Sequence, residues 1–141
     1  MKAFLDTSVL VAAFYDGHEH HRFSFELFVS LDRKNGSTAA HCLAEVYSIL
    51  TGMPGKDRAS GDEALLFLGN IRERLAVVTL DPDEYFKAVE AAAVAGVMGG
   101  GIYDAILGQC ALKADAQAIY TWNVRHFKRL GQDIAERVTT P

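Results

Sequence analysis

Cysteine is scarce in this chain: there are only two, Cys42 and Cys110, and no CxxC pair. That excludes a disulfide framework and a zinc ribbon, and both residues read as small core residues of helices. Long apolar runs are also missing. The longest stretch without a charged residue, Ala91 to Tyr103, is broken by glycines and too short to span a bilayer. At the amino end Asp6 interrupts the apolar residues before a signal-peptide core can form, so a soluble, cytoplasmic protein is expected, with no membrane partner. Positive charge is not in excess either. Fourteen Lys and Arg against 18 Asp and Glu leave a net charge of −4, which argues against a generic polybasic nucleic-acid binder. It leaves open an enzyme that meets phosphodiesters through a bound metal. With no repeat, low-complexity tract or linker, a single domain over residues 1–141 is expected.

What is present is enough apolar material for a core, since hydrophobic residues make up 50% of 141 positions. Short apolar strands are expected at 2–5, 37–40, 76–80, 116–121 and 137–139. Between them, helical spacing predicts helices over 19–34, with Phe23, Leu27, Phe28 and Leu31 inward, and over 41–51, with Leu43, Val46, Tyr47 and Leu50 inward. Ser60-Gly61-Asp62-Glu63 has the form of a capping box opening a helix that buries Leu65, Leu68, Ile71 and Leu75. Asp81-Pro82-Asp83-Glu84 combines a capping box with proline at the first helical position, and that helix ends near Gly96. Gly99-Gly100-Gly101 leads into a helix from 102 to about 114. The joint from Gly52 to Ala59 is expected to be exposed. Strands alternating with helices imply crossover connections, hence an α/β domain of three layers with a small, mainly parallel sheet flanked by helices.

One carboxylate stands out inside this pattern. In "KAFLDTSVL" Asp6 is flanked by apolar residues, although an unpaired carboxylate is costly to bury. As a strand-end cap it would serve the turn or helix that follows. As a site residue it would stand at the carboxyl end of a parallel strand, where α/β proteins bind ligands. Glu45 and Asp104 each point about 200° from the first apolar member of their helices, off the core face. Alone, each reads as a solvated helix residue. Asp6 and Asn123, the latter just beyond the strand 116–121, fall at carboxyl ends of parallel strands and so on one sheet edge, and spacing leaves open whether Glu45 and Asp104 converge there. Three clustered carboxylates repel, and a hard divalent cation with oxygen ligands relieves that repulsion, Mg2+ or Mn2+ by its chemistry.

The stretches "FLDTSVL", "HCLAEVYSIL", "GGGIYDAILGQCAL" and "AIYTWNVRHFKRL", in this order from Lys2 to Leu130, resemble the PIN-domain nucleases, and among them most the VapC toxins of bacterial toxin–antitoxin pairs. The resemblance implies a magnesium-dependent endoribonuclease in which Asp6, Glu45 and Asp104 hold the metal, which would activate water for in-line attack and stabilise the leaving 3′-oxygen. It also implies RNA as substrate, a cognate antitoxin lying over the acidic site, and a homodimer.

Two features depart from or refine that pattern. Asn123 stands where many relatives have a fourth acid, which weakens a second metal site; it can still meet a metal-bound water, while Thr121 can position a carboxylate. Arg125 and Lys128 are candidate RNA phosphate contacts. His18-Glu19-His20-His21 lacks the i, i+4 spacing that turns two histidines toward one ion and reads as a surface helix start, while the resemblance, in which the family often has histidine at the place of His20, implies that His20 supports the site's loop rather than binding metal. Two rival functions remain: a PIN-like RNA-binding or interaction module without activity, and a phosphatase of the haloacid dehalogenase type. The latter needs a second Asp two residues after the first, where this chain has Ser8.

Overall fold

The computed structural model describes residues 2–141. Its elements are β1 (Ala3–Leu5), α1 (Thr7–Phe14), α2 (His21–Ser30), β2 (Gly36–Ala39), α3 (Ala40–Gly52), α4 (Gly61–Arg74), β3 (Ala76–Val78), α5 (Pro82–Val94), α6 (Gly101–Lys113), β4 (Ala118–Tyr120), α7 (Val124–Lys128), α8 (Gln132–Ala135) and β5 (Val138–Thr139), with a 3-10 turn at Gly55–Asp57. The strands form one sheet in the order β3-β2-β1-β4-β5, and every pairing is parallel. Helices flank it in two groups: α1 packs on α2 and α3, and α3 on α4, while α6 packs on α5 and α7, and α7 on α8. This is the expected three-layer α/β arrangement.

The central strand β1 is wholly buried, and its register sets Ala3 beside Gly36 and Leu5 beside Tyr120. From β1 the chain runs to β2 on one side and later to β4 on the other. The strand order therefore reverses between β1 and β4, which opens a crevice at their carboxyl ends. Gly36 has no room for a side chain there, because a Cβ would meet Leu75 Cδ2 at 2.7 Å and Leu31 Cβ at 2.9 Å.

Both expected capping boxes form. Ser60 accepts the Glu63 amide while Glu63 accepts the Ser60 amide, and Asp81 and Glu84 do the same. Glu84 also takes the Lys113 ammonium at 2.6 Å, linking α5 to α6. Of the joint from Gly52 to Ala59, expected exposed, Gly52 and Pro54 to Arg58 are exposed while Ala59 is buried; Cys42 and Cys110 are buried, as read from the sequence. Burial pushes the two thiols up to about 12 and about 11, so both stay protonated packing groups.

Elsewhere the structure corrects the sequence reading. Helix α1 was not expected. Its residues Val9 to Ala13 are all buried, so no polar face marks the helical period. Helix α2 is shorter than 19–34. The Asp32 carboxylate accepts the Lys34 and Asn35 amides while Asn35 Oδ1 accepts the Asp32 amide, and this local turn displaces the last helical turn. Phe23, Leu65 and Tyr47, expected inward, are exposed; Ala64 and Phe67 take the core face of α4, and Cys42 joins Val46 and Leu50 on α3. Beyond β4 the short helices α7 and α8 were also unexpected.

Candidate active site

Asp6 is both a cap and a buried acid. It is the N-cap of α1, its side chain accepting the Val9 amide at 3.3 Å, yet only 2% of it is exposed. The Ser8 hydroxyl donates to Oδ1 at 2.6 Å and the Thr121 hydroxyl to Oδ2 at 2.7 Å. Each hydroxyl in turn accepts a backbone amide: Trp122 N–H donates to Ser8 Oγ at 2.9 Å, and Asn123 N–H to Thr121 Oγ1 at 2.9 Å. The two hydroxyls thus relay donors from the β4–α7 loop to the carboxylate, and each chain of bonds polarises its members in one direction. Despite these donors, burial pushes the Asp6 carboxyl up to about 6, and the charge of Asp104 adds to the rise.

Glu45 and Asp104 complete the acidic crevice from α3 and α6. Glu45 Oε1 accepts the Thr7 hydroxyl at 3.0 Å and lies 3.7 Å from His41 Nε2. Thr7 follows Asp6 directly, so that bond ties the second acid to the start of α1. Asp104, entering α6 after the three glycines, lies 3.6 Å from His126 Nδ1. Burial raises its carboxyl above the usual range; His126 opposes the rise and the Glu45 charge adds to it. Asp104 thus feels both other acids. No Lys or Arg pairs with any of the three among the described residues.

This donor set suits a hard cation. It offers carboxylate oxygens only, carries negative charge that no fixed Lys or Arg neutralises, and includes one buried acid whose ionisation is already strained. The three are not drawn into a finished cage: among the described residues, no three His, Cys, Asp or Glu side chains stand close enough together to clasp an ion. Asp6 is fixed, whereas the Glu45 and Asp104 side chains are 33% and 26% exposed. Were an ion to bind, Glu45 and Asp104 would be the two to close on it.

The remaining sequence candidates divide. Thr121 is fully buried and bonded to Asp6. Asn123 is exposed at the N-cap of α7, where its side chain makes no capping bond; its amide donates to Thr121 Oγ1 and its carbonyl accepts the His126 and Phe127 amides. Arg125 and Lys128 are exposed on α7 but do not line the cavity beside Asp104, which takes His126 and Arg129 instead. His20 stacks on Trp122, ring centroids 3.7 Å apart and planes 8° from parallel, and Trp122 Nε1 donates to Ser24 Oγ at 2.8 Å. Its work is to hold the loop after β4, as expected.

Sequence reasoning missed Ser8, Thr7, His41 and His126. Ser8 carried a signal, since a hydroxyl two residues after a capping Asp readily bonds back to it. The others meet the acids only through folding or one helical turn away, and nothing in their own segments marked them.

A PIN domain model matches residues 3–132. Ribonuclease VapC40 of Mycobacterium tuberculosis is 33% identical over 114 residues, covering 81% of this chain and 81% of its own length. Among solved structures, Mycobacterium tuberculosis VapC20, described as a sarcin–ricin loop cleaving toxin, superposes with a TM-score of 0.68 at 20% identity, over 89% of this chain and 92% of that one. VapBC2 of Rickettsia felis, bound to a DNA fragment from its promoter, gives 0.67 at 17% identity over 99% and 98%. VapBC-1 of nontypeable Haemophilus influenzae gives 0.66 at 19% identity, with the same coverage. These three share the fold, whereas the family rests on the domain match and on the relative at 33% identity. The chain belongs to the PIN-domain family, as a protein of the VapC type.

Proposed function

We propose that this protein is a metal-dependent endoribonuclease, the toxin of a VapBC-type toxin–antitoxin pair. The observation that carries the reading is Asp6: a buried acid held by three donors at the sheet's crevice, its ionisation opposed by burial and by Asp104. A buried acid with a raised pKa beside a second carboxylate in a crevice supports a functional site, where a cation would compensate its charge. Asp6, Asp104 and Glu45 would hold Mg2+ or Mn2+. A bound cation of that kind supplies charge neutralisation at the phosphodiester and a more acidic attacking water.

The chain's own residues do the rest. Ser8 and Thr121 fix both Asp6 oxygens, so one edge of the site is set before substrate arrives. Thr7 aims Glu45 by its hydroxyl. Asn123, exposed beside Thr121, offers an amide to a water or a phosphate oxygen without adding negative charge. That neutrality favours one metal over two. RNA phosphate contacts are assigned to Arg125 and Lys128 on the exposed side of α7. The antitoxin of a VapBC pair would cover the acidic crevice, and the toxin would pair with a second copy of itself. No helix among the described residues is long and apolar enough to cross a membrane. Action in the cytoplasm is part of the proposed toxin reading.

The incomplete cage supports a second reading, an RNA-binding or interaction module without catalysis. One experiment separates the two. Purified protein should cleave single-stranded RNA with Mg2+ or Mn2+ and stop in EDTA. If Asp6→Asn and Asp104→Asn cut as fast as wild type at equal metal, the nuclease assignment fails.

A further inference from the structure

A cavity of about 640 Å³ opens beside Asp104, between α7 and the loop joining α5 to α6. Pockets that enclose a small ligand run from about 300 to about 1,000 Å³, so one nucleotide unit fits. Ala95, Val97 and Leu130 give it an apolar lining, while Asp104, His126 and Arg129 give it polar groups. The loop's shape is built in, because Gly96 and Gly99 hold φ of +76° and +56°, where a side chain would be strained. Gly101 also sits close, since a Cβ there would lie 3.0 Å from Val97 Cγ1.

We infer that this cavity is a subsite for one unpaired nucleotide next to the scissile phosphate, with the base on the apolar lining and its phosphate on Arg129. The inference rests on the ribonuclease reading and adds a recognition site to it. Three observations favour a nucleotide. Asp104 belongs to both the acidic crevice and the cavity, so a strand cut at the first must pass the second. Arg129 is a cation at the cavity that joins no ion pair among the described residues, in a chain of net charge −4. An arginine at a helix C-terminus commonly serves the helix dipole, but α7 has only five residues and a correspondingly weak one. Finally, the first amides of α6 are already spent on Met98, Gly99 and Gly100 carbonyls, so a phosphate here must be met by a side chain. An apolar lining beside a cation suits a base that has left its stack, as in single-stranded RNA.

The test is a 1H–15N titration of the full, metal-free protein with adenosine or uridine 5′-monophosphate. Shifts are expected at the amides of residues 96–101 and 129–130. Arg129→Ala, an exposed position, should weaken binding about tenfold, the size of a lost charged hydrogen bond. Met98→Glu, which adds a repelling charge at the cavity rim, should weaken it as well. No shifts at these amides by concentrations on the order of 10 mM, shifts confined elsewhere, or equal effects from inorganic phosphate alone would each overturn the subsite. Paramagnetic broadening on adding Mn2+ to separate, nucleotide-free samples reads the acidic crevice independently. Broadening lost around Asp6 with nucleotide shifts intact sinks the metal reading and spares the subsite.

Discussion

Asp6 and Asp104 face one crevice from opposite sides of the fold's construction, and they are held in opposite ways. Asp6 follows the central strand, is buried, and takes three donors, two of which are themselves clamped by backbone amides. Asp104 begins a helix after a glycine-rich loop, has 26% of its side chain exposed, and meets only a histidine at 3.6 Å. On the proposed metal reading the contrast would separate two tasks: Asp6 would define the position of the ion, and the less constrained Asp104 would adjust to it. Pre-positioning is worth most where the backbone itself is rigid, and the sheet supplies that at β1 but not at the start of α6.

Breaking the shared function gives the largest effect. Asp6→Asn and Asp104→Asn should each reduce metal-dependent RNA cleavage at least about 100-fold, measured as kcat/KM on a defined RNA. The comparison is sharpened by stability, where the two acids should part. Asp6 binds its proton more tightly folded than unfolded, since its carboxyl is raised from 3.8 to about 6. Its contribution is therefore fully present below about pH 4 and is lost as pH rises through about 6. The loss for metal-free protein is on the order of 3 kcal/mol, from about two pKa units at about 1.4 kcal/mol each. Chemical denaturation in EDTA should show wild type weakening across this window and Asp6→Asn nearly flat. Mg2+ at pH 7.5 should restore wild type far more than the variant. The partly buried Asp104 shifts in the same direction, and its Asn variant should flatten the curve much less. A wild-type curve with no pH dependence between 4 and 7 would show that the Asp6 charge is compensated without metal.

Smaller effects should follow from the relays. Thr121→Val removes the donor to Asp6 Oδ2 and strands the Asn123 amide, so a loss of about 1–3 kcal/mol in stability is expected, with cleavage down by about 10–100-fold. Thr7→Val frees Glu45 without unsealing the core, and should cost activity more than stability. Equal activity losses from the Thr7 and Thr121 changes would mean that the fixed and the movable acids are not held differently after all.

Much of this division was legible in the order of residues. The strands and both capping boxes announce themselves because each depends on neighbours within a few positions; Asp6 stands out in its apolar run, whereas Glu45 and Asp104 each read alone as a solvated helix residue and are joined to it by combination and by the family resemblance. Helix α1 did not, since "TSVLVAAF" is apolar on every side and a buried helix of β-branched residues shows no period. The same blindness placed Leu65 inward, because in Leu65-Leu66-Phe67-Leu68 the spacing alone leaves the phase of the stripe undecided. At the site, the identity of the acids was readable but their support was not. Ser8 and Thr121 meet across 113 positions, and only the pairing of β1 with β4 brings them to one carboxylate. The histidine cluster was readable in the negative sense: its spacing ruled out a shared ion, and the fold assigns His20 to Trp122.

That last pairing gives the smallest expected effect and the finest probe of the comparison. His20 lies flat on Trp122, the residue whose amide feeds Ser8 and through it Asp6. His20→Ala removes a ring stack worth about 0.5–1.5 kcal/mol, so melting should shift only slightly. The consequence for chemistry depends on whether the relay is rigid because of the sheet or because of the stack. With the sheet dominant, kcat falls no more than about threefold, under 1 kcal/mol. His20→Phe, which keeps a flat ring but no ring nitrogens, should then match wild type. A large kcat loss in His20→Ala that His20→Phe repairs would instead place part of Asp6's rigidity in a surface loop. The fixed side of the site would then be less distinct from the movable one than the strand geometry indicates.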